Sequence, residues 1–258
     1  MCKFGFLNSL KSLPTPTDLN ALKVGLEQLN DAANASPDRT IPHRIELLLF
    51  HSKAHELINS VLANSPYLTW CATVDPSFFC ILLESGPDHA VSLAFNLLEN
   101  KQKETLNEDE IAKILRVAKR RVSLTIAIAD ITNYWSLEKI TGTLSDLAST
   151  CLSIAASYLL REMAKSGGIS LPDMDNPENN SGLVILGMGK LGARELNYSS
   201  DIDLIVLFDP ESIQTNNPSN LQRLFVRLTR RLVKLMEERT ADGYVFRTDL
   251  RLRPDPGA

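Results

Sequence analysis

Residues 187–209 read GMGKLGARELNYSSDIDLIVLFD, and this stretch decides the fold of the C-terminal part of the chain. The preceding residues 182–186 (GLVIL) are apolar, and so is the run DIDLIVLF at 201–208, which ends at Asp209 and Pro210. Both runs are short and bounded by turn residues, which predicts two strands joined through a glycine-rich turn. We expect the first strand to be buried.

Two aspartates stand one residue apart at the start of the second run. Successive side chains of a strand point to opposite faces, so Asp201 and Asp203 share one face while Ile202 and Leu204 face a core. Such a pair on a solvated strand has no role in many proteins. In a dry site, however, the two carboxylates repel each other unless a cation neutralises them, and Mg²⁺ prefers hard oxygen ligands. The pair therefore predicts metal-assisted phosphoryl or nucleotidyl transfer.

The glycine turn admits two interpretations. Backbone N–H groups at Gly187 and Gly189 can cradle a phosphate at the start of a helix. With Gly192 they also spell G-x-G-x-x-G after a strand, and Asp209 follows about twenty residues on, as a dinucleotide-binding oxidoreductase requires. The segment before the second strand is shorter than the dozen or more residues that a parallel crossover needs. This favours the phosphate-cradling interpretation and keeps the dinucleotide site as an alternative.

The next segment predicts a long amphipathic helix and a third strand. Helical spacing over 220–239 places seven apolar residues on one face: Leu221, Leu224, Phe225, Leu228, Leu232, Leu235 and Met236. Residues 244–252 (YVFRTDLRL) alternate as a strand, with Val245, Arg247, Asp249 and Arg251 on one face. Asp249 is thus a third candidate carboxylate, predicted to lie within about 6 Å of the other two. Arg247, Arg251 and Arg253 are guanidinium groups suited to phosphate.

These residues resemble a known family. The runs GMGKLGARELNYSSDIDLIVLFD and FRTDLRLRP are similar to the glutamine synthetase adenylyltransferase/adenylyl-removing enzymes, within the polymerase-β-like nucleotidyltransferase superfamily. That superfamily has a glycine turn, an Asp-x-Asp strand about a dozen residues later and a third aspartate in a later strand, which Gly189, Asp201, Asp203 and Asp249 match. Lys190 stands where many superfamily members have serine, although lysine is usual in this family.

The resemblance implies a site, a reaction and partners. It implies catalytic, metal-binding residues Asp201, Asp203 and Asp249, and nucleotide-binding residues Gly187, Gly189, Lys190, Ser200, Arg251 and Arg253. It implies Mg²⁺, with ATP or ADP and inorganic phosphate as substrates. The N-terminal half of a family member removes AMP from a tyrosine of glutamine synthetase by phosphorolysis, giving ADP, and the other half adds AMP. The implied partners are glutamine synthetase and a PII-type nitrogen signal protein.

The predicted fold class is α+β, in which an all-helical domain precedes a nucleotidyltransferase domain. We place the helical domain at 1–170, a linker (LPDMDNPENN) at 171–180 and the catalytic core at 181–258. Helices are predicted at 19–33, 44–63, 76–84, 88–100, from Asn107 through Ile126, and from Thr143 or Ser145 through Leu159. The chain stops soon after DLRLRP, where the family continues. We therefore expect a fragment or a truncated gene of roughly a quarter of a family member, and the alternative function is an inactive remnant that still binds nucleotide or glutamine synthetase.

Composition gives expectations about the binding partners and the cellular location of the protein. The net charge of −4 argues against a general nucleic-acid binder, although arginines concentrate between Leu221 and Pro254. No apolar run of the length of a membrane helix and no signal peptide are recognised, which predicts no membrane partner and a cytoplasmic protein. The four cysteines, Cys2, Cys71, Cys80 and Cys151, show no C-x-x-C spacing and are predicted to be buried reduced thiols.

Overall fold

The computed structural model describes residues 4–102 and 106–250, without the side chains of 100–102. The predicted residues Cys2, Arg251 and Arg253 lie outside this part. In chain order the helices are α1 (Gly5–Asn8), α2 (Leu19–Ala35), α3 (Ile41–Phe50), α4 (Ser52–Asn64), α5 (Pro66–Val74), α6 (Pro76–Ser85), α7 (Pro87–Gln102), α8 (Glu108–Ile131), α9 (Leu137–Lys165), α10 (Gly189–Gly192) and α11 (Leu221–Glu237). The strands are β1 (Leu183–Gly187), β2 (Ile202–Phe208) and β3 (Thr248–Asp249). Mostly helical with a small mixed sheet, the described chain confirms the α+β class.

By its internal contacts the chain divides into two compact units. The first comprises Met1–Asn96 and Arg120–Ile140, and the second comprises Leu97–Lys119 and Thr141–Ala258. The second unit therefore combines the strands with parts of α8 and α9. The sequence-based division at 171–180 stays a prediction about domains, and that segment has neither helix nor strand.

The first unit contains helices and loops but no strand within its described residues, and it differs from expectation in the short α1 and at the two places that follow. The helix predicted over 44–63 breaks at His51, whose extended backbone ends α3 and whose ring nitrogen accepts the Ala54 N–H at 3.4 Å to begin α4. α5 was not predicted, because its apolar residues surround the helix rather than following one face. It begins at Pro66, and the Ser65 hydroxyl caps it by accepting the Leu68 N–H.

Two long helices, α8 and α9, follow. α8 begins with the predicted capping box, in which Asn107 Oδ1 accepts the Glu110 N–H and Glu110 Oε2 accepts the Asn107 N–H. α9 begins at Leu137, earlier than predicted, because the Ser136 hydroxyl accepts the Lys139 N–H. The prediction that no apolar run is as long as a membrane helix is wrong for α9, which by length and composition alone could cross a membrane, although 67% of its most apolar window is buried inside the protein. Such burial is typical of a core helix, and the absence of a membrane partner stays a prediction.

The sheet has the order β1, β2, β3. β1 pairs with β2 antiparallel, and β2 pairs with β3 parallel. The prediction that β1 is buried is wrong, because Val184 and Leu186 are 44% and 43% exposed. The predicted strand over 244–252 is also too long within the described residues, since only Thr248 and Asp249 pair.

α11 confirms the helix predicted from the apolar spacing. All seven predicted core residues are buried: Leu221, Leu224, Phe225, Leu228, Leu232, Leu235 and Met236. Phe225 stacks on Phe208 of β2 with ring centroids 4.6 Å apart. Because Phe208 and Leu204 share a strand face, α11 covers that face of the sheet. The opposite face, which carries Asp203, stays open beside the exposed Val184 and Leu186.

Candidate active site

Asp203 and Asp249 lie directly opposite each other on neighbouring parallel strands. Adjacent strands are separated by about 4.8 Å, so residues in register project their side chains from the same face. The prediction that the Asp249 strand pairs beside the Asp-Ile-Asp strand is confirmed by this register. The predicted separation of the carboxylate oxygens stays a prediction. Ile202 and Leu204 are buried, as expected for the other strand face.

The glycine turn lies against Asp203. Gly189 has a φ of +51°, and a Cβ at this position would stand 2.8 Å from Asp203 Oδ2. The Met188 N–H donates to the Asp203 carbonyl at 2.8 Å. A side chain at Gly189 would therefore be strained by its left-handed backbone and would collide with the carboxylate. The close approach explains why glycine is required at this point.

Asp201 is held by an arginine. Arg247 Nε donates to Asp201 Oδ1 at 2.5 Å, and its Nη2 donates to the Ser199 carbonyl at 2.6 Å. The hydrogen bond to Asp201 and the charge of that carboxylate raise the pKa of Arg247. The two side chains are 52% and 51% exposed, so water screens the pair and its contribution to stability is small. The interaction orients Asp201 rather than anchoring the fold.

The short strand β3 is positioned by the end of α11. Glu237 Oε1 accepts both the N–H and the hydroxyl of Thr248, each at 2.7 Å. The Met236 carbonyl accepts the N–H groups of Val245 and Phe246. Both of these side chains are buried, whereas strand alternation predicts that only one is. The chain therefore leaves α11 through a packed turn and enters β3 immediately before Asp249.

A buried arginine fixes the same turn from α8. Arg116 is 1% exposed, and its guanidinium donates to the carbonyls of Ala112, Glu238 and Gly243. Burial lowers the pKa of Arg116, although the charges of Glu238 and Asp242 raise it. Because Glu238 caps the C-terminus of α11, the cation also meets the negative end of that helix. Arg116 and Glu237 were not predicted from the sequence, since their partners lie far along the chain or have no motif.

The remaining predicted residues surround this sheet edge. Gly187 ends β1, Lys190 is exposed in the single turn of α10, and the Ser200 N–H donates to the Asn197 carbonyl just before Asp201. Arg251 and Arg253 are outside the described residues. The structure thus brings together the glycine turn, Asp203 and Asp249, places Asp201 against Arg247, and leaves the nucleotide-binding roles as predictions.

The donor set fits a divalent cation in part. Asp203 and Asp249 offer hard carboxylate oxygens from one sheet face, which is the chemistry that Mg²⁺ prefers. In the part of the chain described here, no group of three or more His, Cys, Asp or Glu residues is arranged to hold a metal ion. Asp201 faces Arg247 instead. Asp203 and Asp249 fit the ion by their register, and Asp201 would have to leave Arg247.

The dinucleotide alternative is wrong. Its glycine motif requires a parallel β–α–β unit, whereas β1 and β2 are antiparallel and α10 has four residues. Asp209, the expected ribose ligand, instead accepts the Glu211 N–H and the Ser212 hydroxyl. These hydrogen bonds lower the pKa of Asp209, the one from Ser212 contributing most. The acidic residue therefore closes a turn.

Comparison with known proteins identifies relatives of this chain. The chain is 41% identical over 212 residues to a bifunctional glutamine synthetase adenylyltransferase/adenylyl-removing enzyme of Brucella suis, covering 82% of this chain and 22% of that protein. It is 40% identical over 247 residues to the enzyme of the same description from Agrobacterium fabrum, covering 94% and 24% respectively. The chain therefore spans about a quarter of the length of these relatives.

The relatives are named as adenylyltransferases, which are enzymes of the nucleotidyltransferase class. Within that class, the family model described as Glutamate-ammonia ligase adenylyltransferase matches residues 55–258. The chain belongs to this family, and the resemblance of its sequence motifs is confirmed.

Proposed function

We propose that this chain carries the adenylyl-removing site of a Mg²⁺-dependent enzyme that regulates nitrogen assimilation through glutamine synthetase. In the proposed reaction an oxygen of inorganic phosphate attacks the phosphorus of tyrosyl-AMP. The bond from phosphorus to the tyrosyl oxygen breaks, ADP is released, and the tyrosine recovers its hydroxyl proton. In the longer protein a second half adds AMP to the same tyrosine. The relatives, which are named for both activities, support the proposal.

The observation that carries the proposal is the register of Asp203 with Asp249 beside Gly189. Two carboxylates on one open sheet face attract a cation, and an adjacent turn without a side chain lets a phosphate approach the backbone. A bound Mg²⁺ would supply charge neutralisation at the reacting phosphates. No other pair of aspartates within the described residues faces across two strands in this way.

Each group near the sheet edge has a proposed role. Asp203 and Asp249 would hold the cation, and Asp201 would be a third ligand if it left Arg247. The freed Arg247 guanidinium can then bind a phosphate oxygen through its planar fork. The first N–H groups of α10, from Gly189 and Lys190, have no intrahelical acceptors and face the same ligand. Gly187, Ser200, Arg251 and Arg253 complete the proposed nucleotide site.

The test uses Asp203→Asn and Asp249→Asn, with Asp31→Asn on the exposed surface of α2 as the matched control. We measure ADP formed from adenylylated glutamine synthetase and phosphate with Mg²⁺, and thermal unfolding of each variant. Loss of a group that stabilises transition-state charge should lower the rate by about 10²-fold or more. The control should retain the wild-type rate, and all variants should remain folded. Wild-type rates in both site variants would refute the metal assignment.

A second candidate function is binding without turnover. The ion pair of Asp201 with Arg247 and the lack of an assembled three-carboxylate group in the described chain favour it. Such a protein would bind Mg²⁺ and ATP, or glutamine synthetase, and would release no ADP. Calorimetry combined with the ADP assay separates the two functions.

The remaining expectations are part of the same proposal. A PII-type nitrogen signal protein is the proposed regulator, and the proposed location is the cytoplasm. We propose no nucleic-acid or membrane partner. Co-purification of the protein with its PII-type partner, tested with and without the small effectors of that partner, examines the regulatory part.

A further inference from the structure

The solvent face of α11 carries a continuous stripe of cations. Arg223, Arg227, Arg230 and Lys234 follow one another at spacings of four, three and four residues, which places them on one side of the helix. All four side chains are exposed. We call these residues the α11 basic stripe. The chain has a net charge of −4, so the stripe is a positively charged patch on a protein that is negative overall.

The stripe opposes the electrostatics of its own helix. Arg223 lies in the first turn of α11, where the helix dipole disfavours positive charge, and that turn contains no acidic residue. Like charges three or four residues apart destabilise a helix by about 0.2–0.5 kcal/mol per pair. Lys234 lies in the favourable last turn, but the three arginines do not serve the stability of α11 and carry a small cost.

Three of the four cations of the stripe form no ion pair in the described residues, whereas some other arginines do, as Arg44 with Glu84 and Arg194 with Asp146. Lys234 reaches Glu238 at 3.8 Å. Arg223, Arg227 and Arg230 have no carboxylate within ion-pair distance in the described residues. Three guanidinium forks are thus available to carboxylates of another molecule.

The surface around the stripe is concave. A cavity of about 300 Å³ is lined by Arg223, Arg227 and Arg230, and a neighbouring one of about 250 Å³ lies between α9 and α11. The two share Leu224 and Arg227. Bidentate recognition by arginine suits carboxylate groups that enter such a groove.

The kind of partner follows from what surrounds the arginines. The apolar face of α11 is buried in its own unit, so the helix has no apolar face left for insertion into a lipid surface. Binding of single-stranded nucleic acid requires aromatic side chains on which bases stack, and the solvent side of α11 has none between the cations of the stripe. An acidic protein surface fits three unpaired guanidinium groups in a groove, and arginine is favoured at protein interfaces.

The position of α11 connects the stripe with the candidate active site. Glu237, at the end of the helix, holds Thr248 next to Asp249. At a rise of 1.5 Å per residue, Arg230 and Arg223 lie about 10 Å and about 21 Å along the axis from Glu237. These distances run along the helix axis only, because the stripe is on the solvent side of α11 and Asp203 is on the sheet face that α11 does not cover. A protein partner therefore has to extend around the edge of the sheet to reach both.

We propose that the α11 basic stripe is a docking surface for an acidic face of the protein substrate. The inference rests on the proposed function in one respect, namely that the AMP-bearing tyrosine belongs to a protein. Docking on the stripe raises the local concentration of the tyrosine at the sheet edge and accelerates encounter by charge attraction. The chemistry at the aspartates does not need the stripe.

The test is a triple variant, Arg223→Gln, Arg227→Gln and Arg230→Gln, because glutamine keeps a good helix propensity. The matched control is Lys11→Gln, Lys23→Gln and Arg39→Gln, which removes three exposed cations from the first unit and changes the net charge equally. We measure binding to adenylylated glutamine synthetase by surface plasmon resonance at low and high salt. AMP removal is measured from that protein and from a short peptide with an AMP-tyrosine.

The stripe variant should bind glutamine synthetase about tenfold more weakly, mainly through a slower association rate, and should lose most of its salt dependence. Its reaction with the peptide should be unchanged, and the control should match the wild type. Equal behaviour of the two triple variants would overturn the proposal. So would an absence of binding to glutamine synthetase, or binding of the wild type to RNA in preference to it. If neither the wild type nor any variant removes AMP from the peptide while stripe-dependent binding persists, the proposed function fails and the docking surface stands.

Discussion

At the scale of single residues, the site depends on a contact that a sequence motif does not show. The glycine turn predicts a phosphate cradle. In the structure, the atom that a Cβ at Gly189 would approach most closely is Oδ2 of Asp203. The glycine therefore serves two purposes, since its positive φ shapes the turn and its missing Cβ makes room for the aspartate. Sequence spacing indicates the first purpose and cannot indicate the second.

Substituting Gly189 by alanine tests the contact. The left-handed backbone costs an alanine about 1–2 kcal/mol, and the new Cβ displaces Asp203 Oδ2. We expect lower stability in urea and a larger loss of Mg²⁺-dependent nucleotide binding. The control is Gly142→Ala inside α9, where a Cβ meets nothing within 4 Å and should stabilise the helix by about 0.5–1 kcal/mol. Normal nucleotide binding by Gly189→Ala would show that the turn tolerates a side chain.

At the scale of elements, periodicity was a good guide where one face is buried and the other is wet. The seven core residues of α11 follow from spacing alone because its two faces differ in environment. α5 escaped prediction because Leu68 and Cys71 are buried while Tyr67, Trp70 and Val74 are apolar and partly exposed. The predicted strand over 244–252 is too long, because Val245 and Phe246 belong to the turn after α11. Both of their side chains are buried there, which a strand with one buried face does not allow.

The junction between α11 and β3 gives a prediction at this scale. Glu237→Ala removes the only carboxylate oxygen that accepts both donors of Thr248 within the described residues, which should cost about 1–3 kcal/mol. We expect β3 to lose its register and Mg²⁺ affinity to fall with it. Glu237→Gln keeps an acceptor oxygen and should restore most of the affinity. Amide hydrogen exchange at Thr248 and Asp249 reports whether β3 still pairs with β2, and it is measured together with Mg²⁺ binding. An unchanged exchange rate in the alanine variant would disprove the anchoring role.

At the scale of the whole molecule, the sequence predicts the class of fold and the neighbours in the sheet, but not which side chains contact one another. The register of Asp203 with Asp249 follows from strand alternation once the strands are known to be adjacent. The pairing of Asp201 with Arg247 does not follow, because a rotatable exposed side chain has several partners within reach. The burial of Arg116 on α8 does not follow either, because its acceptors are known only from the tertiary fold.

Metal binding should be visible in the stability of the entire protein. A ligand that binds only the folded state at 100 times its Kd stabilises it by about 2.7 kcal/mol, and the melting temperature should rise by several degrees. Mg²⁺ should produce this rise in the wild type and in Asp31→Asn, and EDTA should reverse it. Asp203→Asn should show little response. An equal rise in that variant would place the ion elsewhere on the molecule.

The buried guanidinium of Arg116 has a consequence for synthesis of the chain. Two of its three carbonyl partners, Glu238 and Gly243, lie 122 and 127 residues later. Ribosomes add about 5–20 residues per second, so these partners follow Arg116 by about 6 to 25 seconds. During that interval Arg116 has only one of its three acceptors, the Ala112 carbonyl within α8, and the rest of its guanidinium stays in water. The nascent helix therefore cannot acquire its final packing until the end of α11 has been translated.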